Sequence, residues 1–216
     1  IKPIHSLASY LMDGVGKPDL IVDGYASPHG FAMKPSHAKM LQEADLIFWV
    51  GEDLESFLEK PLKSIAKKAE KIELMEIKGL NKLEFRERNI FDEHDDHGHD
   101  EHKEDGHKDD KHDDHQGHAH GEYDPHIWLD PMNAKVILNE MVEHLIENDA
   151  KNTSKYKTNL KKALKDIDKL NADVKAELSK STVSIVFHDA YQYFEERYDI
   201  NILGAFTVNT DVMPGA

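Results

Sequence analysis

Not one of the 216 residues is a cysteine. Disulfides and thiolate zinc sites are therefore excluded, and any strong metal site must be built from His with Asp or Glu. No apolar run approaches the roughly 18 residues needed to cross a bilayer. There is no HExxH pair, the signature of a metalloprotease helix. Excess basic charge is missing too, with 27 Lys and Arg against 42 Asp and Glu. Fourteen of those acidic residues but only three lysines lie between Asp92 and Asp124, which leaves 28 acidic against 24 basic elsewhere. That near balance gives nucleic acid no footing as a partner. The chain starts at Ile1 without Met and shows no signal peptide, as expected of a processed product or a fragment.

What the chain has in quantity is histidine in one place. Nine of them, His94, His97, His99, His102, His107, His112, His115, His118 and His120, alternate with Asp and Glu and almost nothing apolar. Such a stretch cannot offset the entropy of folding with a buried core, so residues 92–122 read as a disordered, mobile acidic loop. Imidazoles bind zinc, copper and nickel, and carboxylates add hard oxygen ligands. The loop is therefore expected to hold several weak accessory metal sites, with no geometry that selects one metal. The alternative is a solvated acidic linker in which His is merely frequent.

The remainder can fold: 39% apolar residues support a core. Lys2–Met12 is predicted as an amphipathic helix closed by Gly14 or Gly16. Asp19–Gly24 is predicted as a short strand, which would put His29 in a loop at a strand's carboxyl end, where ligands gather in open α/β sheets. Taken alone, His29 reads more readily as a loop histidine bonded to the backbone. A helix is expected from Pro35 to Glu43, a strand buried on both faces at Asp45–Gly51, a helical Leu54–Leu58 and a second strand at Ile72–Ile77. Repeated strand and helix units imply an α/β domain with a parallel sheet.

Beyond the loop, Asp124-Pro125-His126-Ile127-Trp128-Leu129-Asp130-Pro131 sets one histidine among apolar residues between two Asp-Pro pairs. Helical spacing then runs from Met132 to Glu147 and again from about Thr153 to Leu178, the second about 39 Å long at the standard rise. Its narrow apolar stripe suits a helix joining two lobes, or an ordinary surface helix. Strands are predicted at Thr182–Phe187 and from Asn201, with His188 at a strand end. The expected division is an N-terminal α/β lobe over residues 1–150, a linking helix over 151–180 and the start of a truncated C-terminal α/β lobe over 181–216. His29, His126 and His188 share one character, each in an ordered turn or at a strand end beside apolar residues. His5, His37 and His144 fall within helices and read as surface or helix-packing residues.

Four segments, Ser27-Pro28-His29-Gly30-Phe31 with Lys34-Pro35-Ser36, Ala44–Gly51, Asp124–Pro131 and Phe187–Phe194, resemble the metal-binding solute-binding proteins of bacterial ABC transporters. The acidic His-rich insertion just before His126 resembles the zinc-uptake, ZnuA-like members. The resemblance implies two α/β lobes with parallel sheets joined by a long rigid helix, with one metal ion in the cleft. It makes His29 and His126 ligands from the first lobe and His188 one from the second, with a remaining carboxylate or water expected from the later second lobe. Departures are Pro28, where some zinc members carry Glu, His37 in place of an Asp, and the absence of the family's first strand.

The implied function is capture of Zn²⁺ in the periplasm by a monomer, either free or lipid-anchored, and delivery to a membrane permease, with no catalysis. Three neutral imidazoles favour zinc over manganese, which prefers oxygen. A manganese or iron receptor of the same family and a surface zinc-buffering protein stand as alternatives. A zinc hydrolase is a weaker one, since no general base adjoins the histidines.

Overall fold

The computed structural model describes residues 1–24, 26–86, 122–178 and 183–207. The elements are α1 (Lys2–Leu11), α2 (Pro35–Glu43), β1 (Leu46–Trp49), α3 (Glu52–Glu55), α4 (Glu59–Ser64), β2 (Glu70–Glu73), α5 (Pro131–Asn148), α6 (Thr153–Leu178), β3 (Val183–His188), α7 (Gln192–Tyr198) and β4 (Asn201–Thr207), with short 3-10 turns between several of them. Strands β1 and β2 pair in parallel, Leu46 opposite Glu70 and Trp49 opposite Glu73. Strands β3 and β4 form a second parallel pair, with a register shift between Ser184 and Ile185. Each pair is joined through helix, the connection that parallel strands require. The result is the expected α/β architecture of two parallel sheets with a long helix between them in sequence.

The main core gathers elements from most of the chain, Tyr156 and Ala163 of α6 and Tyr193 of α7 included. It is built from α1 (Ile4, Ala8, Leu11), the strand ends (Val50, Ile72, Leu74) and α5. Helix α5 buries Ala134, Ile137, Leu138, Met141, Val142 and Leu145, which recur every three or four residues and so share one face. Its start is set locally: Asp130 accepts the backbone N–H of Met132 at 2.8 Å, and Pro131 occupies the first turn, where its missing N–H costs nothing. The buried residues of α6 are confined to Tyr156, Asn159 and Ala163. Asn159 donates to the carbonyls of Leu11 at 2.7 Å and Asp13 at 2.9 Å, satisfying the end of α1. Farther along, Leu170 is 54% exposed, so the second half of α6 adds little to the core.

Three expectations change. Asp19–Gly24 is not a strand. Three apolar residues between Pro18 and Gly24 are too few to hold a ladder, and the backbone makes a turn instead, Ala26 donating to Asp23 O at 3.4 Å. Val22 is nonetheless buried, so the segment is held by its side chains. The second strand ends at Glu73 rather than Ile77, because β1 offers only four partners. One bond from Met75 to Val50 O at 2.9 Å prolongs the pairing before the chain turns. Strand β1 is not fully buried on both faces: Ile47 and Trp49 enter a smaller cluster with Leu41, Leu58 and Leu62, while Leu46 and Phe48 are only partly covered by the main core.

Candidate metal centre

Each of the three singled-out histidines is presented by a different local device. His29 sits in a turn, not at a strand end. Its backbone N–H donates to Ser27 Oγ at 3.2 Å. Gly30 follows with φ 68°, a left-handed conformation that costs glycine little and other residues more. His126 precedes the 3-10 turn Ile127–Leu129, and Leu129 donates to its carbonyl at 3.1 Å. Ile127, fully buried in the core, pins that turn in place. His188 is the last residue of β3, opposite Thr207 on β4, with Ala190 donating to its carbonyl at 3.0 Å.

These devices bring together residues 97 and 62 positions apart in the chain. Ring centroids are separated by 5.8 Å for His29 and His126, 6.0 Å for His29 and His188, and 5.4 Å for His126 and His188. One ring nitrogen from each lies within 4.8 Å of the others. His126 Nε2 and His188 Nε2 are 3.4 Å apart. A tetrahedral ion with bonds of about 2.0–2.1 Å needs its ligands roughly 3.3–3.4 Å apart, so this pair has the right spacing.

The orientation of His126 has a cause. Asp124, only 2% exposed, places Oδ1 2.7 Å from His126 Nδ1 and 2.9 Å from the His126 backbone N–H. A carboxylate only accepts, so Nδ1 carries a proton, and in the neutral ring the Nε2 lone pair then faces His188. On the other side the Trp128 ring stands edge-on to His126 at 5.4 Å. The cleft, about 400 Å³, is lined by the three histidines together with Pro28, Trp128, Phe187 and Tyr191. Apolar walls raise the cost of a charged imidazole there.

His188 shows that cost. Burial, followed by its neighbours His126 and His29, pushes its pKa from 6.5 down to about 4. Its nitrogen is therefore an available lone pair at neutral pH. Between pH 6.5 and about 4 the unfolded chain binds more protons at this position than the folded one, so stability rises with pH across that window. The zinc-free protein is expected to unfold at lower urea at pH 5 than at pH 7. His188→Gln should reduce that difference, and an unchanged difference would show that the loss of stability arises elsewhere.

The other histidines do not join this cluster. His5 Nε2 contacts Pro18 O at 2.9 Å. His37 is buried and takes the helix-packing role: it accepts the Lys34 N–H at 3.1 Å and stacks on Phe31 at 5.4 Å. His144 lies among Glu70, Glu140 and Glu147 on a partly exposed face, with Nδ1 2.8 Å from Glu70 and Nε2 3.3 Å from Glu140. The nine histidines His94 to His120 lie outside the described residues. Sequence reasoning gave Asp124 no role. The signal was present, however, as an acidic residue two positions before a histidine in an otherwise apolar segment.

The whole chain, residues 1–216, matches the family model described as zinc-uptake complex component A, periplasmic. A protein of Brucella abortus named high-affinity zinc uptake system protein ZnuA is 43% identical over 228 residues, covering all of this chain and 68% of the relative. Its namesake in Paracoccus denitrificans is 40% identical over 220 residues, again with 100% and 68% covered. Among solved structures, one described as the crystal structure of ZnuA superposes with a TM-score of 0.71 at 21% identity, over 97% of this chain and 69% of that one.

Proposed function

The chain belongs to the family of periplasmic zinc-uptake complex components, ZnuA, and from that membership we propose that it captures Zn²⁺ in the periplasm and hands it to the permease of an ABC transporter. The family is one of transport-associated solute-binding proteins. In this reading the protein acts as a monomeric receptor and does no catalysis. The ligands are His29, His126 and His188, the first two from the lobe within residues 1–150 and the third from the lobe that begins near residue 181, with residues 151–180 linking them.

The observation that carries the reading is the pair of imidazole nitrogens 3.4 Å apart, one of them fixed by a buried carboxylate. Neutral imidazoles at this spacing are complementary to a tetrahedral cation and leave room for a further ligand. Three nitrogen donors suit zinc, whereas manganese favours oxygen. Asp124 offsets part of the ion's charge through His126 and makes that imidazole a better donor. Protons compete for the same lone pairs, and the depressed pKa of His188 keeps that competition weak at neutral pH. The accessory histidines His94 to His120 would raise zinc concentration near the cleft, or sense supply, as a separate population of weaker sites.

X-ray absorption at the zinc edge tests the ligand set. With one equivalent of Zn²⁺ on the full-length protein lacking residues 92–121, the expected spectrum fits about three imidazole nitrogens at roughly 2.0–2.1 Å. A first shell of oxygens alone would remove the three histidines from the proposal.

A further inference from the structure

Tyr193 belongs to α7, yet its side chain is 1% exposed and packs within the main core. There it meets two backbone segments on either side of the His-rich stretch. These segments approach as an antiparallel pair: Asp124 N donates to Leu83 O at 2.9 Å, Phe85 N donates to Glu122 O at 3.0 Å, and Glu84 faces Tyr123. In a regular narrow pair, Leu83 N would return a bond to Asp124 O. Instead the Tyr193 hydroxyl stands between them. It accepts the Leu83 N–H at 3.1 Å and donates to Asp124 O at 2.7 Å.

Asp124 is the residue whose carboxylate holds His126 Nδ1. Tyr193 lies five positions after His188, at the start of the helix that leaves the β3 end. The same helix is tied to the first lobe again by Arg197, which donates twice to Asp130, at 2.8 Å and 2.6 Å, and by Glu195, which pairs with Arg86. One helix thus seats His188 in the cleft and inserts a phenol into the backbone that sets His126.

We propose that Tyr193 is a positioning residue for the zinc site: its hydroxyl, wedged between Leu83 and Asp124, couples the seating of the second-lobe ligand His188 to the orientation of the first-lobe ligand His126. Withdrawing α7 from the first lobe would remove His188 and at the same time loosen the backbone that carries Asp124. Two donors would weaken together, so a small separation of the lobes would suffice to release the ion. The inference rests on the proposed assignment of His126 and His188 as zinc ligands.

The test uses the full-length protein and Zn²⁺ in competition with a chelator, with Tyr193→Phe, Asp124→Asn, the double variant and His126→Ala. Tyr193→Phe keeps the ring in the core and removes only the hydroxyl. It is expected to weaken zinc binding about tenfold, in the range of outer-shell replacements. Combined with Asp124→Asn it should cost little beyond Asp124→Asn alone, because both act on one imidazole. In the zinc-free protein, the His126 Nδ1–H proton resonance should exchange with water faster in Tyr193→Phe than in the parent. Losses that multiply independently, or an unchanged affinity and exchange rate in Tyr193→Phe, would overturn the coupling. If His126→Ala binds zinc as tightly as the parent, the ligand assignment itself falls. The proton-exchange comparison, which needs no zinc, still decides whether Tyr193 positions His126.

Discussion

Replacing His126 with alanine is expected to reduce zinc affinity by more than about 100-fold, since replacing even an outer-shell partner of a metal ligand costs 10–100-fold. Three features make His126 the most sensitive position. It is the most buried of the three histidines, its Nδ1 is fixed by Asp124 at 2.7 Å, and its Nε2 stands 3.4 Å from that of His188. Its loss also leaves Asp124, a carboxylate 2% exposed, with the backbone N–H of residue 126 but no imidazole to hold. The lost partner should make the zinc-free variant somewhat less stable as well. Asp124→Asn should fall between the parent and His126→Ala, because the amide can still accept from Nδ1 but carries no charge. Chelator competition on the three proteins measures the series. A variant Asp124→Asn weaker than His126→Ala would mean that the carboxylate acts on the ion by another route.

Asp130→Ala is expected to give a large loss of stability, about 3 kcal/mol, because one buried side chain serves two elements. Its carboxylate caps α5 through the Met132 N–H, a contact worth about 1 kcal/mol. It also receives both bonds from Arg197 on α7. Breaking a buried pair by removing one partner costs about 3–5 kcal/mol. Here Arg197 is one-third exposed and regains water, which brings the figure down. Asp130→Asn keeps an acceptor for Met132 and should lose about half as much. Urea unfolding of the full-length variants is the measurement. A loss below about 1 kcal/mol in Asp130→Ala would leave only the cap and show that the Arg197 pair contributes nothing net.

Much of this fold was legible because its determinants are local. The spacing of Ile137, Met141, Val142 and Leu145 marks α5. The apolar Leu46–Trp49 marks β1. Local signals also misled. Leu20-Ile21-Val22 has strand composition but no partner strand among the described residues, so its burial is achieved in a turn. The end of β2 was fixed by the length of β1, which the residues at Ile72–Ile77 do not contain. The three histidines stood out individually by their apolar settings, yet nothing in spacings of 97 and 62 residues reveals that they meet. That expectation came from resemblance. The Tyr193 wedge and the Asp130–Arg197 pair connect positions 67 to 110 apart and leave no periodic trace in the sequence. For His37, the sequence left surface and helix-packing roles open, and the structure takes the second: it serves the N-terminus of α2 and stacks on Phe31.

The most direct test of the zinc-receptor account is an equilibrium zinc titration against a competing chelator, comparing the full-length protein with one lacking residues 92–121. The expected result is a single tight equivalent in both, with only additional weak equivalents lost on removing residues 92–121. Tight binding that disappears with residues 92–121 would contradict the account, placing the strong site among His94 to His120 and making this a zinc-buffering protein rather than a receptor built around His29, His126 and His188.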